Sequence, residues 1–172
     1  MRPHISVVSP MYNEEKGIKD FIVAVKETFA EYNKGWELVL VDDGSEDRSF
    51  EVAKEFTKED QNIRVITLGT HYGRGKAIRE GVKESSGDYI ITIESDMSWE
   101  VEDIFRVVDE LEHDRADVVL VSPYRRGGGV KGVPFFRLLI SWLGNKILGA
   151  SFGGSFSMVT QMFRGYKAEV IN

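Results

Sequence analysis

The chain has 172 residues, 42% hydrophobic and 29% charged, which suits one globular domain with a sizeable core. It has no cysteine, which excludes disulfides, thiolate metal sites and cysteine nucleophiles. The net charge of −6 is unevenly spread: after Asp117, seven basic side chains stand against Glu169 alone, so that segment suits an anion or an anionic surface, with a solvated basic face as the plainer alternative. Met1-Arg2-Pro3-His4 leads straight into a strand pattern without a signal-peptide apolar region. No run approaches the roughly 18 apolar residues of a membrane span, so the cytosol is the default compartment.

The elements follow in order. Residues 5–9 are a short β-branched strand. Residues 15–33 carry Ile18, Phe21, Ile22, Val25 and Phe29 at helical spacing, an amphipathic helix. A strand over 36–41 meets the turn Asp43-Gly44-Ser45 and a helix carrying Val52, Ala53 and Phe56. Next come a strand over 63–68, a glycine-rich loop and a helix over 76–85. A strand over 89–93, a helix over 99–113 and a strand over 118–122 complete the series. Such alternation with short links predicts an α/β fold, a mostly parallel sheet with helices on both faces. The pattern breaks at Pro123: residues 124–133 are a basic glycine-rich loop, Pro134 opens the most apolar helix, 135–148, and 149–157 are rich in glycine and serine. No internal repeat or second domain is visible, so 1–172 reads as a single domain.

The chemistry gathers at strand ends. Ile90-Ile91-Thr92-Ile93 runs into Glu94-Ser95-Asp96, and Leu38-Val39-Leu40-Val41 runs into Asp42-Asp43-Gly44-Ser45. In open α/β sheets the carboxyl edge is where ligands bind. Carboxylates there can hold Mg²⁺ or Mn²⁺ together with substrate phosphates, so a metal–diphosphate such as a nucleotide-sugar is the simplest ligand. Helix capping by Asp96 or Ser98 explains one acceptor but not two carboxylates and a hydroxyl. Gly73-Arg74-Gly75-Lys76 fails as a phosphate loop, since Ala77 stands where Ser or Thr is needed, and reads better as a turn into a helix. His4, His71 and His113 lack metal spacing; His71 falls in the loop after a strand, a place from which it could line a cleft, with an ordinary loop residue the favoured reading.

Pro10-Met11-Tyr12-Asn13-Glu14, Val41-Asp42-Asp43-Gly44-Ser45, Gly87-Asp88-Tyr89 and Glu94-Ser95-Asp96-Met97-Ser98 together resemble the family 2 glycosyltransferases. Tyr124 before the glycine loop, Gly128-Gly129-Val130-x-Gly132, Arg137-x-x-x-Ser141-x-x-x-Asn145, Thr160 and Phe163-Arg164-Gly165-Tyr166-Lys167 are most similar to the dolichyl- and polyprenyl-phosphate mannosyltransferases. The resemblance implies a GT-A fold, with residues 1–122 holding the nucleotide-sugar and 123–172 forming the acceptor side. It implies that Pro10, Tyr12, Glu14, Val41 and Asp43 surround the nucleoside and that Glu94, Ser95 and Asp96 meet ribose and diphosphate. It implies Mg²⁺ or Mn²⁺ on Asp96, with Ser98 and Glu94 beside it. Arg125, Arg126, Arg137 and Ser141 are expected at the acceptor phosphate, with Asp96, Arg137 and Arg125 as the catalytic set.

The implied reaction is inverting, metal-dependent transfer of a hexose to a polyprenyl phosphate, mannose from GDP-mannose favoured over glucose from UDP-glucose. The implied setting is peripheral, on the cytoplasmic face of a membrane, compatible with a separate anchoring subunit and with no nucleic-acid partner. The sequence departs from the family pattern at Glu94, one methylene longer than the usual Asp, at Pro123, where an arginine is usual, and at Met158, where an aspartate is usual. The family pattern also continues past Tyr166 with another helix and strand, so a shortened donor side is expected. Two other readings remain open: transfer to a sugar or protein hydroxyl, which wants a general base, and a nucleotide-sugar-binding module without catalysis.

Overall fold

The computed structural model describes residues 3–122, 136, 140, 143–146 and 161–171. The glycine-rich loop, most of the 135–148 segment and residues 149–157 lie outside them. Among the described residues six strands form one sheet: β1 (Ile5–Met11), β2 (Trp36–Asp42), β3 (Ile63–Thr67), β4 (Tyr89–Thr92), β5 (Val118–Leu120) and β6 (Arg164–Lys167). The order is β3-β2-β1-β4-β6-β5. β1 pairs in parallel with β2 (Val8↔Val39) and β4 (Val8↔Thr92), and β2 with β3, while β6 runs antiparallel between β4 and β5. Parallel strands covered on both faces need near-continuous apolar sequence. Val7, Val8, Leu38, Val39, Leu40 and Val41 meet that need and are fully buried.

Among the described residues, four longer helices cover the faces, α1 (Ile18–Thr28), α2 (Ser49–Glu59), α3 (Arg74–Glu84) and α4 (Asp103–Glu112), with a short one at Ala168–Ile171. On one face Phe21, Ile22 and Val25 of α1, Ala53 of α2 and Ile104, Val107, Val108 and Leu111 of α4 share a core with Leu38, Leu40, Ile91 and Phe163. On the other, Ala77 and Val82 of α3 and Ala168 pack on Val8, Val39, Val41 and Ile90. The helix predicted over 15–33 is shorter, because the Gly17 and Ile18 N–H groups both donate to Glu14 O and make a separate turn before Ile18. Likewise α4 starts at Asp103 rather than 99, after a turn that packs Trp99 and Val101 on the core.

β6 has no apolar run to announce it. Its position comes from pairing with distant strands, Thr92↔Arg164 and Val119↔Gly165. Gly165 is required there by close approach: a Cβ would run into Val107 Cγ1 and reach 3.0 Å from Leu111 Cδ1, so α4 lies directly on the strand.

The chain winds β1, β2, β3 in one direction and then places β4 on the other side of β1. The connections on either side of β1 therefore diverge at the carboxyl ends of β1 and β4 and open a crevice between them.

At the opposite end of the sheet Glu37 is buried among donors. Its Oε1 accepts from Ser6 Oγ at 2.6 Å, Ser86 N at 2.6 Å and Ser86 Oγ at 2.9 Å, and its Oε2 from Arg64 Nη1 at 3.3 Å. Burial alone would push this carboxyl up; the hydrogen bonds outweigh it and hold it below the ordinary glutamate value. A depressed folded value means stabilisation that is present above the unfolded pKa of about 4.3 and lost as pH falls through the folded value. Glu37→Gln is therefore expected to lower the urea midpoint at neutral pH and to flatten its fall below about pH 4.3. Midpoints of both proteins from pH 3 to 7 check this. An acid limb equally steep in the variant would assign the loss to other carboxylates.

Candidate active site

A cleft of about 390 Å³ occupies the crevice. Of the eight residues expected around nucleoside, ribose and diphosphate, seven line it: Pro10, Tyr12 and Glu14 at the end of β1, Asp43 after β2, and Glu94, Ser95 and Asp96 after β4. Val41 does not. It shares a face with Pro10, its register partner, but is buried under α3, where its Cγ2 crowds Gly81. Ser98 is also absent from the lining, and its N–H donates to Asp96 Oδ1 at 3.0 Å. Arg125, Arg126, Arg137 and Ser141, expected at the acceptor phosphate, lie outside the described residues, as do Pro123, Met158 and Thr160.

The two strand-end motifs are lashed to each other. Asn13 N donates to Ser45 Oγ at 3.0 Å, Glu46 N to Asn13 Oδ1 at 2.9 Å, and Glu14 N to Ser49 Oγ at 2.7 Å. Asn13 holds a φ of 56°, a left-handed geometry asparagine tolerates better than most residues. Asp42 is buried and structural, its Oδ1 accepting from Ser45 N at 3.1 Å and its Oδ2 from Thr67 Oγ1 at 2.8 Å. Ser95 Oγ donates to Pro10 O at 3.2 Å, tying the end of β4 to the end of β1.

Asp43 is the organiser of the third loop. Its Oδ1 accepts from Tyr72 N at 2.9 Å and its Oδ2 from Gly73 N at 2.8 Å, while His71 Nδ1 lies 2.9 Å from Oδ2. This grip brings into the lining Arg74, which the sequence reads as part of a turn, and His71, for which an ordinary loop residue is the favoured expectation and a cleft position the other. The His71 ring lies over Tyr12, with centroids 4.0 Å apart and planes 30° apart. Arg74 Nη1 reaches Glu94 Oε1 at 3.3 Å, and Gln161 Nε2 approaches Glu94 Oε2 at 3.4 Å. The usable signal is position: the loop after β3, a strand parallel to β2, emerges at the same sheet edge as the acids.

The cleft is short of positive charge. Burial raises the Glu94 carboxyl above its ordinary value, with Arg74 opposing and the Asp96 charge adding to the rise. Burial also raises Glu14, and Asp96 and Asp47 raise it further. Acids that raise one another across a cleft suit a divalent cation with oxygen ligands. Among the described residues no group of three or more His, Cys, Asp or Glu side chains forms a ready-made cage. The fit is therefore to a cation held by one or two carboxylates plus substrate phosphate, as Mg²⁺ commonly is.

Sheet order, switch-point cleft and acid-lined strand ends define a GT-A fold, the Rossmann-like architecture of nucleotide-diphospho-sugar transferases. The chain belongs to glycosyl transferase family 2, whose model matches residues 6–172. It is 31% identical over 170 residues to the undecaprenyl-phosphate 4-deoxy-4-formamido-L-arabinose transferase of Pectobacterium carotovorum, covering 98% of this chain and 50% of that protein. It is 31% identical over 137 residues to the dolichol-phosphate mannosyltransferase of Pyrococcus furiosus, covering 80% of this chain and 38% of that one. The glucosyl-3-phosphoglycerate synthase of Mycobacterium tuberculosis, solved with Mn²⁺, UDP-glucose and phosphoglyceric acid, superposes with a TM-score of 0.72 at 22% identity, over 98% of this chain and 58% of that one. That likeness is one of fold. The chain spans about half the length of the curated relatives it matches.

Proposed function

We propose that this chain transfers a sugar from a nucleoside diphosphate sugar to a polyprenyl phosphate. The observation that carries the reading is the convergence of Asp43, Glu94, Ser95 and Asp96 on one cleft at the topological switch point. The acceptor class is supported by the relatives, which are named as transferases of polyprenyl or dolichol phosphates.

In this reading an acceptor phosphate oxygen forms a bond to the anomeric carbon as the bond from that carbon to the diphosphate breaks, inverting the centre. The acceptor is already an anion, so no proton has to be removed, and the protein's task is alignment. Asp96, with Glu14 nearby, would hold Mg²⁺ or Mn²⁺, which supplies charge neutralisation of the departing diphosphate when bound. Arg125, Arg126 and Arg137, with Ser141, would hold the acceptor phosphate, arginine bidentately.

Peripheral seating on lipid is supported by Phe136, Ile140 and Leu143, all exposed and spaced along one helical face, with exposed Lys146 beyond them. Among the described residues no helix is long and apolar enough to cross a membrane. Mannose from GDP-mannose is the finer expectation. The relatives differ in sugar, with mannose, an arabinose derivative and galacturonate among their names.

The test is incubation with labelled GDP-mannose, UDP-glucose and other nucleotide-sugars, Mn²⁺ and undecaprenyl phosphate in detergent, followed by extraction of the lipid. Label in the lipid from one donor is expected. Label only on a sugar or protein hydroxyl, or donor binding with no turnover, would replace this reading with one of its rivals.

A further inference from the structure

We propose that Glu94 is a positioning residue, holding Arg74 at the donor diphosphate rather than ligating the cation. The proposal rests on the reading of the cleft as a nucleoside diphosphate site and deepens it by giving these two residues their duties there. Among the described residues the cleft lining sets four carboxylates, Glu14, Asp43, Glu94 and Asp96, against one guanidinium, Arg74. A diphosphate entering such a cleft needs positive charge, and its departure from the sugar adds one more negative charge to it. A guanidinium fixed beside it is therefore worth most as the bond breaks.

Glu94 does the fixing. Its side chain is mostly buried, while that of Arg74 is more than half exposed, so the arginine depends on a partner for its place. Arg74 Nη1 lies 3.3 Å from Glu94 Oε1, and Gln161 Nε2 approaches Oε2 at 3.4 Å. The Gln161 side of this grip is anchored: Arg164 Nε donates to Gln161 O at 2.6 Å, and Thr92 Oγ1 donates to Met162 O at 2.6 Å. Reach matters here. An aspartate on the same backbone is shorter by one carbon–carbon bond, roughly 1.5 Å, and would leave both contacts open.

The cation is better placed on the other acid. A second positive charge beside an oxygen that already faces Arg74 is repelled by it. Among the described residues Asp96 has no such partner, its one hydrogen bond coming from the Ser98 N–H at 3.0 Å.

Titration calorimetry of the whole chain with Mn²⁺ tests this, with UDP against UMP and GDP against GMP as probes, since each pair differs only in the second phosphate. The wild-type protein is expected to bind the diphosphate of a pair more tightly than the monophosphate. Glu94→Asp keeps the charge and loses the reach, so the diphosphate:monophosphate affinity ratio is expected to fall roughly tenfold, with the loss in the diphosphate. Arg74→Gln is expected to give the same fall, and the double variant to fall no further than either single change. Glu94→Gln keeps the length and an oxygen that accepts from Arg74, so its ratio is expected to fall less than that of Glu94→Asp. Loss of Mn²⁺ affinity in Glu94→Gln but not in Glu94→Asp marks a cation ligand and overturns the proposal. Additive falls in the double variant overturn the coupling of Glu94 to Arg74, and an equal loss of monophosphate and diphosphate overturns the diphosphate contact. Failure of the wild-type protein to bind any of the four nucleotides removes the donor site itself, and this positioning with it.

Discussion

Asp96→Asn is expected to abolish the metal-dependent part of nucleotide-sugar binding and to leave the fold unchanged. Asp96 lines the cleft and is exposed. Among the described residues its hydrogen-bonding duty is a single bond, from Ser98 N to Oδ1 at 3.0 Å. A carboxamide oxygen can accept that bond, so the turn after β4 survives the change. The lost charge is the one whose field reaches both Glu14 and Glu94. A hard cation depends on that charge, and one carboxylate is a large share of a shell completed by water and phosphate.

A ligand at about 100 times its dissociation constant stabilises by about 2.7 kcal/mol. For a chain of this size that is a rise in melting temperature of roughly 5–10 °C. The wild-type protein should show this rise with donor and Mn²⁺ together, and the variant should lose it while melting unliganded within about 1 °C of wild type. A Mn²⁺-dependent rise that survives in the variant would move the cation away from Asp96.

The second large effect is expected from Gly44→Ala. Gly44 holds a φ of +73°, and a Cβ there would stand 2.5 Å from the Thr70 carbonyl carbon and 2.7 Å from His71 N. Both obstacles are backbone, so no rotamer change relieves them. Left-handed geometry costs a Cβ-bearing residue about 1–2 kcal/mol, and overpacking adds about 1–3 kcal/mol. A melting temperature roughly 5–15 °C lower is the expected reading. The same push separates residues 70–73 from Asp43, so nucleotide binding should fall by more than stability alone explains. Calorimetry below the melting transition checks that second part. A variant that melts lower yet binds UDP with wild-type affinity would show that the Asp43 grip on the third loop is dispensable for the donor site.

Much of this molecule is legible in local sequence. Leu38-Val39-Leu40-Val41 reads as a strand covered on both faces, because a short apolar run that meets Asp42-Asp43-Gly44-Ser45 is too brief for a buried helix. The 3.6-residue spacing of Ile18, Phe21, Ile22 and Val25 places α1 on one face. Strand-end acids in an alternating α/β chain direct attention to one sheet edge before any contact is known. Of the eight donor-side positions that the family resemblance implied, seven line the cleft. Val41 shows the limit of such reasoning: it shares a face with Pro10, yet α3 covers it, and a motif read as a unit does not say which of its members a later helix buries.

What sequence by itself determined was the class of fold, the sheet edge that carries the site and the acids that gather there, since these follow from period, polarity and strand ends, all local properties. Only the tertiary structure decided the place of β6, where Arg164-Gly165-Tyr166-Lys167 has no period of its own and is ordered by two strands distant in the chain. It alone showed His71 and Arg74 in the cleft, because both are brought there by Asp43, some thirty positions earlier. Such a grip joins segments far apart in the chain, and no local pattern of period or polarity encodes a contact of that range.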